Sequence, residues 1–297
     1  MNSDALFSFI SPLHLYIIAI IFGVLTVGIV IMIYIFLYIK KKRYRIKAIV
    51  EAQLNEWISD ALTDDEPAIA IPADISNHLK QPFIRQFITD SLININKNVT
   101  GNIADNLAKL YNAVGLKKDS VQKMKSLVWH RRARGIYELY MMRQKDELND
   151  ILEYTNSNNE YVRMEAQTAI IGFSGFDGLV FLDTLTHPMY EWQQIKLLEQ
   201  LNAINPGNML HLPLWLKSEN SYVVHFALKL TEIYQQFQVH NEVIPCLDNT
   251  NDKIRQQAIK TLGSIVAENT IGILKKQYDK ETNANRKTIL EQLVING

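Results

Sequence analysis

Nine basic residues crowd the stretch Lys117–Lys145: Lys117, Lys118, Lys123, Lys125, Arg131, Arg132, Arg134, Arg143 and Lys145. Only Asp119 and Glu138 oppose them, and Trp129, Tyr137 and Tyr140 are interleaved. Cations alternating with aromatic rings can hold an acidic partner, an anionic lipid headgroup or a phosphorylated ligand. The competing reading is a solvated helix face neutralised by Asp146, Glu147, Asp150 and Glu153 just downstream. Elsewhere the chemistry-bearing residues are dispersed. None of the seven histidines precedes a Glu and no two stand four apart, so the spacing of a helical zinc site is missing. The single Cys246 excludes an internal disulfide and a thiolate metal centre within one chain. No glycine pattern that cradles phosphate or seats a nucleophilic serine occurs. Gly172-Phe173-Ser174-Gly175 approaches one, but it stands between helical runs, where glycines are expected to turn the chain. No catalytic residue, metal or cofactor is assigned, and the chain is expected not to be an enzyme.

The elements that must carry these residues begin with a membrane signal. Leu13–Ile39 holds no charged residue across 27 positions, enough to span a hydrocarbon core of ~30 Å. Lys40, Lys41, Lys42, Arg43, Arg45 and Lys47 follow at once, and no Lys or Arg precedes it. The asymmetry predicts a single span in an inner (cytoplasmic) membrane, N-terminus outside and the rest in the cytoplasm. A cleaved signal peptide is disfavoured by the missing basic start, the length of the run and the missing small-residue cleavage site. Beyond the basic cluster the chain carries a net charge of about −5, which argues against nucleic-acid binding.

Residues 40–62 form an amphipathic stripe through Ile46, Ile49, Val50, Leu54, Trp57, Ile58 and Leu62, predicting a juxtamembrane helix. Residues 63–82, with Pro67, Pro72 and Pro82, read as a linker. From Phe83 to the end the apolar period is helical. The clearest block is Asn251–Ile265: Asp252, then Ile254-Arg255, then Ala258 and Leu262-Gly263. Asp252 is expected to cap the helix. Equivalents of Ala258 are read at Ala133, Ala166, Ile195, Ala227 and Ile289, 29–33 residues apart, with shorter apolar runs between them. A period of about 31 residues signals stacked helical hairpins sharing one core.

The block resembles the second helix of a HEAT repeat of the PBS-lyase-like variety. The resemblance covers about 120–297, with 83–119 a degenerate beginning. It implies an all-α fold: one transmembrane helix followed by a HEAT-type α-α superhelix. It also implies that Asp252, Arg163, Arg255 and Arg286 link successive repeats, as a ladder interrupted at His130, Trp192 and Val224. Resemblance to the bilin lyases is by repeat pattern alone and does not carry their activity. The His-Glu pairs that bind iron in HEAT proteins of the deoxyhypusine hydroxylase type are missing.

In such solenoids second-helix residues line the concave face. Arg131, Arg132, Arg134, Gln193, Gln194, His225, Gln256 and Gln257 are therefore the candidate partner-binding residues. The functional expectation is a membrane-tethered scaffold or adaptor for a protein partner in a membrane-associated complex, with no nucleic acid involved. The alternative is a sensor of an anionic ligand or lipid headgroup through 117–145.

Overall fold

The structure is a computed structural model that describes residues 12–63, 71–202, 204, 206 and 209–296. The expected N-terminal segment 1–12, apart from Pro12, lies outside these residues, as does the acidic part of the expected linker. All regular structure among the described residues is α or 3-10 helix. The chain divides into two compact units, residues 1–95 with 100–114, and residues 96–99 with 115–297.

In the first unit, α1 (Pro12–Thr63) runs unbroken from the apolar stretch through the basic cluster into the amphipathic stripe. Its most apolar window is entirely unburied, and α1 is long and apolar enough to cross a membrane. Further along, Val50, Leu54, Trp57 and Ile58 are buried, at the one-face spacing that the sequence pattern requires. There α1 packs on α2 (Ala73–His78) and α4 (Asn102–Ala113). Arg43 and Lys47 lie over the rings of Phe83 and Phe87 of α3 (Pro82–Asn96), at 5.4 and 4.4 Å. Lys40, Lys41 and Lys42 are exposed. The expected linker is not structureless throughout, because α2 forms after Pro72 and buries Ile75.

The second unit begins with the antiparallel pair α5 (Leu116–Met124) and α6 (Trp129–Met141). Gly135 is where they touch: a Cβ there would stand 2.3 Å from the Met124 backbone nitrogen. Then come α7 (Leu148–Leu152), α8 (Glu160–Ser174), α9 (Glu191–Leu201), α10 (Leu212–Trp215) and α11 (Ser221–Ile233). The unit ends with α12 (His240–Val243), α13 (Asp252–Ser264), α14 (Thr270–Lys280) and α15 (Ala284–Asn296). The long members are the second helices. α6 packs on α8, α8 on α9, α11 on α13 and α13 on α15. The first helices are short and completed by 3-10 turns at Lys145–Glu147, Gly175–Asp183, Phe237–Val239 and Ile244–Asp248. One apolar core runs from Ile171 to Leu290 through successive hairpins, so no hairpin closes its own.

The N-caps sharpen the repeat. They fall at Val128, Asn159, Tyr190, Asn220 and Asn251, spaced 31, 31, 30 and 31 residues. The seventh residue after each is buried: Gly135, Ala166, Leu197, Ala227 and Ala258. Gly135 and Leu197 therefore replace Ala133 and Ile195 in the register, and buried Leu290 replaces Ile289. Ile195 is 52% exposed. Motif spacing points to Ala133 and Ile195, whereas the phase of a helix is set where its cap fixes the first turn. Gly172 also differs from expectation. It lies inside α8, and the space its Cβ would fill is taken by the Tyr140 ring. Gly175, at φ +61°, is the residue that turns the chain.

Candidate functional site

The basic run 117–145 folds back on carboxylates. Lys117 pairs with Asp146 and, at 2.9 Å, with Glu147, and Lys125 pairs with Asp150 at 2.9 Å. Burial pulls the Lys117 pKa down, but hydrogen bonds to Asp146 and Glu147 outweigh it and leave it raised. Fully buried Glu138 accepts from Lys123 Nζ (2.7 Å), Arg134 Nε (2.9 Å) and the Ser120 hydroxyl. Arg132 stacks on the Tyr154 ring at 5.0 Å. Arg131 is exposed on the first turn of α6. The contacts therefore neutralise Lys117, Lys123, Lys125 and Arg134, as the competing reading expects, while Arg131 stays exposed.

The four repeat residues divide into two roles. Arg286 joins repeats: its Nη1 donates to Asp252 of the preceding second helix at 3.0 Å, while its Nε donates to Glu281 at 2.8 Å. The Arg286 hydrogen bonds draw the Glu281 carboxyl down to about 2. Arg163 and Arg255 hold the turns of their own repeats. Arg163 Nη1 donates to the carbonyls of Ser157 (2.7 Å) and Asn158 (3.2 Å), and Arg255 Nη1 to those of Asn249 (2.6 Å) and Thr250 (3.1 Å). Repeat-joining is thus a correction for these two, because their guanidinium groups are aimed back at the preceding turn. Asp252 does not cap α13; Asn251 does, its Oδ1 accepting from the Lys253 N–H at 3.0 Å. Asp252 instead pairs with Arg255 and Arg286. Asparagines supply joints that the motif does not name. Asn156 Nδ2 donates to the Thr184 carbonyl (2.9 Å), and Asn220 Nδ2 to that of Leu185 (2.9 Å). Asn159, Asn220 and Asn251, at caps two repeats and one repeat apart, were the readable signal.

The candidate glutamines are mostly internal. Gln193 is buried and its Oε1 accepts from the Tyr190 N–H at 2.8 Å, closing the cap of α9. Gln257 is buried and donates to Glu232. These two, and Gln194 at 1% exposure, are corrected from surface to packing residues. The open stripe instead lies two and five residues after each cap. On α8 it holds Tyr161 and Met164, on α9 Trp192 and Ile195, on α11 Tyr222 and His225, and on α13 Lys253 and Gln256. Trp192 is 50% and Tyr161 49% exposed. Aromatic pairs run from repeat to repeat: Trp129 stacks on Tyr161 with centroids 5.2 Å apart, and Tyr190 meets Tyr222 edge-on at 6.1 Å.

Gln194 and His225 come together in a cavity of about 460 Å³ lined also by Tyr190, Glu191, Tyr222 and Lys253. Gln194 Nε2 donates to the Met189 carbonyl (3.1 Å), which aims its Oε1 at His225 Nδ1, 3.1 Å away. Burial, then neighbouring Lys229, push the His225 pKa down to about 4, so the ring is neutral at physiological pH. Glu191 pairs with Lys253 at 2.7 Å. A larger cavity, about 640 Å³, lies among the turns at Leu182–Thr186 and Lys217–Tyr222. There Asp183 is already engaged by His211 (2.8 Å) and the Trp215 indole N–H (2.6 Å). Among the described residues no group of His, Cys, Asp and Glu gathers as a metal site.

No protein-family model matches this chain, and no curated protein matches it. Among solved structures, the complex of CpcE and CpcF of phycocyanin lyase from Nostoc sp. PCC7120 is similar at a TM-score of 0.34 and 14% identity. The match covers 79% of this chain and 97% of that chain. The expectation that this chain is not an enzyme does not stand beside a match described as a lyase, and it is withdrawn. By its own cap register, hairpin stacking and shared core, the second unit is a HEAT-type all-α solenoid.

Proposed function

We propose that this protein is a membrane-anchored helical-repeat adaptor, holding a partner protein at the cytoplasmic face through its second-helix stripe. The anchor is the first part of α1. A core helix of a soluble protein buries its apolar side chains, whereas the apolar window of α1 is 0% buried. The juxtamembrane cations Lys40, Lys41, Lys42 and Arg43 orient it with the solenoid inside.

The observation that carries the partner reading is the run of half-exposed Tyr161, Trp192, Ile195 and Tyr222 across successive repeats. Tryptophan and tyrosine supply large contact area at low side-chain entropy cost and dominate the centres of protein interfaces. Cross-linking in native membranes followed by affinity purification tests it. A protein partner recovered with the wild type and lost with W192S/I195S is expected. An identical set of cross-linked proteins from both would overturn the partner reading, and release of the full chain by alkaline carbonate would overturn the anchor.

A further inference from the structure

The open stripe changes character along the solenoid. On α8 and α9 its first two positions are aromatic and aliphatic, with Tyr161, Trp192 and Ile195, and its third holds Thr168 and the exposed Glu199. Nine residues after the caps of α11 and α13 stand Lys229 and Lys260, with Lys253 beside them. Of the carboxylates whose charge reaches Lys229, Glu191 is engaged by Lys253 and Glu232 accepts from Gln257. Among the described residues, no carboxylate forms an ion pair with Lys229 or Lys260. Half-buried Lys229 thus sits beside further ammonium groups, whose charge reaches His225 as well. The cavity at Tyr190, Tyr222, Gln194 and His225 lies where apolar gives way to cationic.

Resting on the adaptor reading, we infer that the stripe takes a peptide segment of the partner that is apolar in one half and acidic in the other. Its apolar side chains lie on Tyr161, Trp192 and Ile195. Its carboxylates meet Lys229 and Lys260, supplying the charge that the solenoid does not. Opposite potentials set register and direction, because the reversed peptide would place its acids on the aromatic end and leave the lysines uncompensated.

The test uses the full chain in neutral-lipid nanodiscs and a short fluorescein-labelled peptide, leucine-rich in its first half and glutamate-rich in its second. A glutamine-for-glutamate peptide is the control. At low salt the acidic peptide is expected to bind at least tenfold tighter than the control, with the advantage shrinking as salt rises. K229E/K260E removes the advantage, and K229Q/K260Q reduces it without introducing new repulsion. W192S/I195S weakens both peptides alike. Equal binding of the two peptides, or an advantage that survives in K229E/K260E, overturns the inference. So does capture of phosphatidylserine vesicles that depends on Lys229 and Lys260 while the acidic peptide is ignored, which would assign the cations to a lipid surface. Should the glutamate advantage be missing while W192S/I195S still releases the cross-linked partner, this inference falls and the adaptor reading stands.

Discussion

Two cationic regions of the same solenoid are built in opposite ways. Around α5 and α6 the sequence packs nine cations into 117–145, yet Lys117, Lys123, Lys125 and Arg134 all end on carboxylates, and Glu138 is buried among them. Around α11 and α13 the sequence shows nothing unusual: single lysines at 229, 253 and 260, many residues apart. The repeat gathers them within reach of one histidine, where the charge of Glu191 acts on the ring and those of Glu191 and Glu232 act on Lys229. Charge counted along a chain is therefore a poor guide to charge presented by a solenoid. A run within one hairpin meets carboxylates of that hairpin and of the turn that follows it, while residues one repeat apart add up on a face.

That contrast can be broken most forcibly at Glu138. E138A leaves Lys123 and Arg134 without their shared carboxylate, and a loss of about 3 kcal/mol in unfolding free energy is expected by analogy with broken buried pairs. Denaturant unfolding of the full chain in detergent checks it; a change under 1 kcal/mol would mean that the hub is ornamental. G135A comes next. Its Cβ would stand 2.3 Å from Met124 N and 2.6 Å from Ser120 O, so α5 and α6 must separate. Overpacking of this kind costs about 1–3 kcal/mol, read as a lowered melting temperature.

A pH profile then separates the two regions. His225 titrates at about 4 when folded, against 6.5 for the free side chain. Between those values the unfolded chain binds a proton that the folded chain refuses, so His225's contribution is full above 6.5 and lost as pH falls towards 4. The groups facing the ring are Glu191 from α9, Lys229 from α11, and Lys253 and Lys260 from α13. H225Q should flatten the melting-temperature profile between pH 6.5 and 4. The profile of E138A should keep its slope there, and an unaltered slope in H225Q would show that the ring is not held neutral. The smallest effect belongs to the paired surface: K125A should change stability by under about 0.5 kcal/mol. K229Q/K260Q should also leave the melting curve unmoved, which would mark those cations as serving recognition rather than folding.

The HEAT-type character, the helical period and the apolar helix with its basic flank were all legible in the residues. Each is a local property: 27 uncharged positions, an apolar face every three or four residues, a small or apolar residue recurring about every 31. Tertiary structure decided the phase and the exposure. It moved the small position from Ala133 to Gly135, because two backbones meet there. It exposed Ile195 and buried Gln193, because the Tyr190 cap set the rotation of α9. Arg163 and Arg255 were turned onto their own turn carbonyls, and Arg286 onto Asp252 of the neighbouring repeat. Which residues lie on a helix face follows from spacing alone. Which face is left open depends on the helices stacked before and behind it, and no single repeat encodes that.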